Sequence, residues 1–442
     1  MCRKLFNNTI FVLLLTLLLI PTFTIGATST SSTNDSTTNK KEPEILELES
    51  RKSFDFFWQE ANTNKDSKGY GLIRDRAPGN SQISSIASVG FGLTAIAIGA
   101  ERGWVTYEQA YERVLGTLNT LLNNVPQENG FFYHFLDMET AKRAWNSEVS
   151  IIDTAIALCG ALTAGEYFGG EVKQKAEQLY KRVNWPWFVD NKVKQFYMAY
   201  SPEKGFQGHW DFYAEQFMLY FLAAGSPTFP ADPNLFYSFQ RHYGSYGGGK
   251  RFIHSWFGSI FTYQFSFAWF DLRNMVDKSG VDWWENSVIA ITSNRKYCID
   301  NKGKFKTFGE NSWGLTACDG PKGYEGRYGA PPSGYNNDQH YVDGTVPPAG
   351  AAGSIVFLPD ESIAALEYYY KNYPQLWGKY GFKDAYNIDV KPAWYAQDVI
   401  GIDKGITLLM IENYRSEFVW KYFMKNAYVQ SGIEKVGLKK KN

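Results

Sequence analysis

The stretch HWDFYAEQFMLYF, residues 209–221, carries Asp211 and Glu215 among residues that otherwise favour burial. An ionised carboxylate is costly in apolar surroundings. Such a group either finds a partner or keeps its proton. A carboxyl that keeps its proton near neutral pH can serve as a general acid. On a helical wheel of about 100° per residue, Glu215 shares a face with Asp211, Phe212, Met218, Leu219 and Leu222. Burial and the like charge of Asp211 are both expected to raise its pKa. The structural alternative is a carboxylate bonded to backbone or arginine.

Acid–base cleavage of a glycosidic bond uses a second carboxyl group, ionised, to activate water. Glu148 in WNSEVSIIDTA lies near the start of an apolar helix. It is a candidate, or it merely supports a cap formed by Asn146 or Ser147. Asp403 in GIDKGITLL sits at another helix start, where an N-cap is the plain alternative. Asp319 in CDGP is its rival, and Asp343 in VDGT is a similar Asp-Gly turn. Asp153 points to a different face from Glu148 and reads as a buried hydrogen-bonding residue. Trp145, Trp210, Trp313 and Tyr324 lie near these acids and are candidate sugar platforms, or core. Arg76 in IRDRAPG, His134, His209 and Gln216 can hydrogen-bond hydroxyls, and GHWD sets His209 close to Glu215. No serine sits in a nucleophile elbow, and GYGLIRDRAPG does not match a phosphate loop.

These side chains need elements to hold them. EILELESRKSFDFFWQEAN and TYEQAYERVLGTLNTLLNNV have helical periodicity, the second with Thr106 as N-cap. SSIASVGFGLTAIAIGAERG has small residues that permit close packing. WNSEVSIIDTAIALCGALTAGEYF is apolar nearly all round, whereas EVKQKAEQLYKRV is amphipathic. Helices apolar on every face are buried and amphipathic ones coat them. That pairing predicts an all-α fold, an (α/α)6 barrel with an inner and an outer ring of helices. FYHFLD and FYMAY predict short strands. Residues 301–360 hold 11 Gly and 6 Pro, a long loop region of the kind that is usually functional. DESIAALEYYYKNY and DKGITLLMIENYRSEFVWKYFMKN close the chain as helices, the latter with no breaker after Gly405.

The chain has 442 residues and zero formal net charge, so it lacks the basic footprint of a nucleic-acid partner. Its 14 Trp, 29 Tyr and 32 Phe suit either a carbohydrate cleft or a large aromatic core. MCRKLF followed by IFVLLLTLLLI and small residues near Ala27 predicts a signal peptide over 1–27. An uncleaved anchor is the alternative. Residues 28–42 read as a Ser/Thr-rich linker and 43–442 as one catalytic domain, secreted or periplasmic and monomeric. Three cysteines follow the leader, and only Cys298 with Cys318 is a conceivable pair. No zinc spacing occurs. NTNKDSKG lacks the acidic residue that would close a calcium loop. No metal or cofactor is expected.

Together FYHFLDMETAKRAWNSEVSIIDTA, GHWDFYAEQFMLYFLAAGSP, SWGLTACDGPKGY, DGTVPPAGAAGSIVFLPDESIAAL and GIDKGITLLMIENYRSEFVWKYFM resemble the bacterial glucoamylase-like domain family. Within it the sequence is most similar to glycoside hydrolase family 144, the beta-1,2-glucanases. The resemblance spans residues 45–438. It implies an α/α six-fold barrel and hydrolysis of beta-1,2-glucan, or its oligosaccharides, with inversion, in endo mode or with release of sophorose. It implies Glu215 as acid, Asp403 as base acting directly or through water, and Glu148 as cleft lining. Two other readings stay open. One is a hydrolase or transglycosylase acting on a different glucan; the other is a carbohydrate-binding protein without catalysis.

Overall fold

Two helices without a polar face meet at glycines. Ile86–Glu101 and Ile151–Phe168 are buried along nearly their whole length. A Cβ added at Gly160 would lie 1.9 Å from the carbonyl oxygen of Gly90, and one at Gly90 would lie 2.5 Å from that of Ile156. The small residues noted in the sequence thus set the distance between the two backbones. Gly160→Ala must push the helices apart. It should destabilise the protein by about 1–3 kcal/mol, read as a lower urea midpoint at unchanged slope.

The computed structural model describes residues 42–441. The expected leader, and the Ser/Thr-rich segment up to residue 41, lie outside the described residues. Among the described residues there are twelve helices. The first six are α1 (Glu44–Gln59), α2 (Ile86–Glu101), α3 (Tyr107–Asn123), α4 (Ile151–Phe168), α5 (Gly170–Lys181) and α6 (Phe217–Gly225). The others are α7 (Trp283–Asp300), α8 (Pro348–Ala352), α9 (Pro359–Asn372), α10 (Gly401–Ser416), α11 (Phe418–Phe423) and α12 (Ala427–Val436). Residues 43–442 form one unit, and its architecture is helix-rich.

Burial sorts the helices as the patterning predicts. All of α6 and most of α2, α4 and α10 are buried, whereas α3, α5 and α12 bury one stripe. Helix α2 packs on both α4 and α10, and α6 packs on α4 and α12. On the outside α1 packs against α10, and α3 and α5 pack on each other. Thr106 forms a full capping box with Gln109 at the start of α3. The cap of α4 is Ser150, whose hydroxyl accepts from the Asp153 N–H. Asn146 and Ser147 are too early to serve, because residues 149–150 first pair as a strand with Tyr200 and Ala199.

One further expectation is corrected and one open pairing is decided. The last long segment is broken at Glu417, which is left-handed with φ 55°, so α10 ends and α11 begins. Asn413 makes the break possible, since its Oδ1 accepts the N–H groups of Val419 and Trp420. Glu417 is held in place by Arg273 at 2.7 Å. Cys298 and Cys318 are not joined; with Cys159 they are free buried thiols. The Gly- and Pro-rich region 301–360 carries the hairpin Cys318–Gly320 with Gly323–Glu325, as well as α8. Strands elsewhere are short, mostly in two-stranded pairs.

Candidate active site

The approach to Glu215 is not helical. Strand Gly205–His209 pairs with Gln195–Ser201, with Tyr197 opposite His209. The Trp210 N–H donates to Phe196 O at 2.9 Å, and the Gln240 N–H donates to Asp211 O at 2.7 Å. Gln216 then closes a tight turn. Its Oε1 accepts from the Ala214 N–H at 2.6 Å and its Nε2 donates to Phe212 O at 2.8 Å. Helix α6 starts only at Phe217. The helix expected from residue 209 is therefore corrected, and so is the wheel that set Asp211 beside Glu215. Strand pairing and the Gln216 turn satisfy the backbone that a helix would have satisfied. Gln216 is fully buried with its amide spent on this turn, and it is not among the residues that line the cleft.

This turn aims Glu215 into a cleft of about 700 Å³ that is also lined by Trp210, Phe212, Trp256, Tyr324 and Tyr335. Ser266 Oγ donates to the Glu215 carbonyl at 2.5 Å and accepts from the Met218 N–H at 3.2 Å, fixing the turn against the neighbouring segment. Burial pushes the Glu215 carboxyl up to about 7, its own backbone N–H opposes the shift, and the charge of Asp153 adds to it. Burial is the predicted cause. The like charge comes from Asp153, not from Asp211, which is exposed on the cleft wall.

Around Asp153 lies a compact charged group. The Asp153 carboxylate bonds the Ser150 hydroxyl and lies 3.7 Å from His134 Nε2. His134 Nδ1 bonds Glu148 Oε1 at 2.7 Å, and its ring stacks on Phe135 at 3.8 Å. Burial alone would lower the His134 pKa, but Asp153, Glu148 and Asp75 raise it to about 9. The bond to His134 holds Glu148 below the usual carboxylate range, against burial. Glu148 is thus an ionised partner of an imidazolium and has no proton to give.

A second group of acids converges from four segments. Asp319 and Tyr324 face each other across the 318–325 hairpin. Arg76 Nη1 reaches Asp319 Oδ2 at 3.1 Å and Asp398 Oδ2 at 3.3 Å, and its Nε lies 3.5 Å from Asp75. Asp403 sits in the first turn of α10, buried, with Ile400 rather than itself at the cap position. Beside it is Asp384, also buried, whose Oδ2 accepts the Asp319 N–H at 2.6 Å. Burial raises both carboxyl groups, and the hydrogen bond between them favours the charged form of Asp403 and the neutral form of Asp384. Tyr324 lines the cleft with Glu215, and the charges of Asp403 and Asp384 act on its hydroxyl. It therefore joins the two groups.

The remaining candidates separate. His209 and Trp210 line the cleft; His209 Nε2 bonds Asp190 at 3.1 Å. Trp145 is 60% exposed on a left-handed loop and packs on Phe135. Trp313 is completely buried, with its backbone tied to the Tyr369 hydroxyl; it is core and not a platform. Arg76 is committed to carboxylates, not to hydroxyls. Asp343 accepts from the Tyr328 hydroxyl at 2.7 Å, a structural bond. Sequence reasoning missed Trp256, Tyr335 and Asp384. The last is an acid in GFKDAYN with no periodicity to mark it.

A helix-rich fold that carries an aromatic cleft, with the buried Glu215 carboxyl at its wall, has the chemistry of a sugar-binding cleft. The Glycoamylase family model ("Putative glucoamylase") matches residues 207–427, half the chain. A Bacteroides uniformis crystal structure of the same description is 30% identical, covers 90% of this chain and 97% of that one, and has a TM-score of 0.81. The chain belongs to this glucoamylase-like family, as the motifs suggest. An endo-beta-1,2-glucanase from Chitinophaga pinensis, in complex with sophorotriose and glucose, is 28% identical with a TM-score of 0.79 and covers 89% of this chain and 98% of that one. An exo beta-1,2-glucooligosaccharide sophorohydrolase (non-reducing end) from Parabacteroides distasonis is 29% identical over 94% of this chain. The chain spans 61% of the length of that curated relative.

Proposed function

We propose that the protein is an exported glycoside hydrolase of family 144 type that cleaves beta-1,2-glucosidic bonds with inversion, as a monomer. The observation that carries this reading is Glu215, a carboxyl aimed into an aromatic cleft and held at a pKa of about 7 by burial. A protonated carboxyl there donates to the leaving oxygen. Asp403, ionised, takes the proton of the attacking water directly or through a further water. Trp210, Trp256, Tyr324 and Tyr335 supply faces for sugar rings, and Trp145 extends them toward solvent. The packing supports an (α/α)6 toroid. The inner helices α10, α2, α4 and α6 follow one another. Ser266 ties α6 to the segment 260–268, which holds the 3-10 turns Ile260–Tyr263 and Ser266–Ala268. Gln264 ties that segment to α8, at 2.9 Å to Gly350 O and 2.8 Å to Ser354, and α8 returns to α10. The named activities of the relatives support the choice of substrate.

A panel of beta-1,2-glucan, laminarin, cellulose and starch tests this directly. Release of oligosaccharides from beta-1,2-glucan alone, with the α-anomer formed first by NMR, is the expected result. Release from starch but not from beta-1,2-glucan overturns the substrate assignment, and a β-anomer overturns inversion. The size pattern, sophorose alone or a ladder, assigns exo or endo action.

A further inference from the structure

Asp384 and Asp403 are 4% and 6% exposed, and each has one buried oxygen, Asp384 Oδ1 and Asp403 Oδ2, with no other hydrogen-bond partner. Both line a small, partly open pocket between α1, α8 and α10, with room for about 10 Å³. Two carboxylates so deeply buried and so close are not both ionised without cations to face them. The nearest cations, Lys404 and Arg76, favour the charged form of Asp403 but make their hydrogen bonds to other groups. Lys404 is paired with Glu49 of α1 and lies 3.3 Å from Phe382 O. Arg76 holds Asp319, Asp398 and Asp75. Lys383 lines the pocket but extends toward Gly378, where its Cε would lie 3.5 Å from an added Cβ. The other groups that face the pair, Asp319, Tyr324 and the buried Cys318 thiol, bring no positive charge. Asp384 is held rigidly: its Oδ2 accepts from the Asp319 N–H at 2.6 Å and its own N–H donates to Asp398 O at 3.0 Å. Its Oδ1 is left over.

We propose that Asp384 is a positioning residue for the reaction: its Oδ1 carries one proton shared with Asp403 and donates it, so that Asp403 stands as the ionised base in a site without a spare cation. This rests on the reading of Asp403 as base. In turnover Asp403 takes a second proton from the attacking water, the new C–O bond forms at the anomeric carbon, and the glycosidic bond breaks with its oxygen protonated by Glu215. The pair then holds two protons, returns one to water, and Glu215 is reprotonated from water. The shared proton on Asp384 is not consumed.

The test compares the pH profile of kcat for wild type, Asp384→Asn and Asp384→Ala. An asparagine keeps Oδ1 toward the Asp319 N–H and puts its amide N–H toward Asp403. It should hold kcat within about 10-fold and leave the acidic limb at or below its wild-type position. Alanine removes the donor and should move that limb up by about one unit or more. A limb unchanged in both variants overturns the proposal. Infrared spectra at pH 8 provide a second readout, above the titration of Glu215. The carbonyl band of a buried protonated acid should be present in wild type and lost in Asp384→Asn. Its persistence there also overturns the shared proton, and this holds even where the alanine variant fails to fold. Asp403→Asn separates the two readings: wild-type turnover in that variant removes Asp403 as base, while the infrared band still decides where the proton sits.

Discussion

Glu215→Gln is expected to lower kcat on beta-1,2-glucan by about 10²–10⁴-fold with little change in KM, the usual contribution of a general acid. Glutamine keeps the shape of the turn and the bond from Ser266 to the backbone carbonyl, so the loss isolates the proton. An aryl glycoside whose phenolate leaves unprotonated should recover most of the rate. Equal loss on both substrates would point to disrupted geometry, and an unchanged rate on glucan would remove Glu215 from the mechanism. In the wild type kcat should fall as pH rises through about 7, where Glu215 ionises. Stability follows with a definite sign. The unfolded carboxyl loses its proton near 4.5 and the folded one near 7, so the unfolded state binds fewer protons between these values and stability falls as pH rises. Above pH 7 Glu215→Gln should therefore be more stable than wild type, by at most about 3 kcal/mol. The figure is smaller where cleft water reaches the group. At acid pH the two should match. Denaturation midpoints at both ends of the range check this.

Lys404→Met is expected to destabilise the fold by about 3–5 kcal/mol, the cost of leaving a buried charge without its partner. Lys404 and Glu49 are 3% and 1% exposed. Glu49 Oε2 also accepts the Phe382 N–H at 3.0 Å, and its Oε1 accepts from Ser53 at 3.3 Å. The pair thereby joins α1, α10 and the 377–382 hairpin, which leads directly to Asp384. Against a typical total of about 5–15 kcal/mol, this loss takes a large share. Burial already raises the Glu49 carboxyl, opposed by Lys404. Without the ammonium it takes up a proton more readily. The deficit should thus be largest at alkaline pH and shrink as pH falls. The double variant Glu49→Gln with Lys404→Met should recover much of the loss, since no charge is left buried. Urea melts of wild type and the two variants at two pH values measure the effect, and a deficit independent of pH would assign it to packing alone.

The helices were legible wherever periodicity was long. Thr106 announced the start of α3, small residues announced the close packing of α2, and the absence of a polar stripe announced α4 as buried. The reading failed at 209–216, where aromatic residues suit strand and helix alike. There the partner strand at 195–201 and the Gln216 turn decide the backbone, and neither is visible as periodicity. It failed again at Glu417, whose left-handed turn depends on Asn413 and on Arg273 from a distant segment.

The candidate site divides in the same way. Asp403 stood out only through the family resemblance, whereas the apolar setting marked Glu215 as an acid whose proton would be held unusually, because burial can be inferred from neighbours along the chain. The charges that tune them cannot. Asp153 beside Glu215, His134 drawing Glu148 into an ion pair, and Asp384 against Asp403 bring together segments tens to hundreds of residues apart, and Coulomb interactions depend on distance in space. By itself the sequence determined the helical class, the aromatic content and the acids available for chemistry, since these follow from local pattern and composition. Only the tertiary structure decided which acid faces the cleft protonated, which is neutralised by a partner and which aromatics are core, because each depends on what the fold sets within a few ångströms.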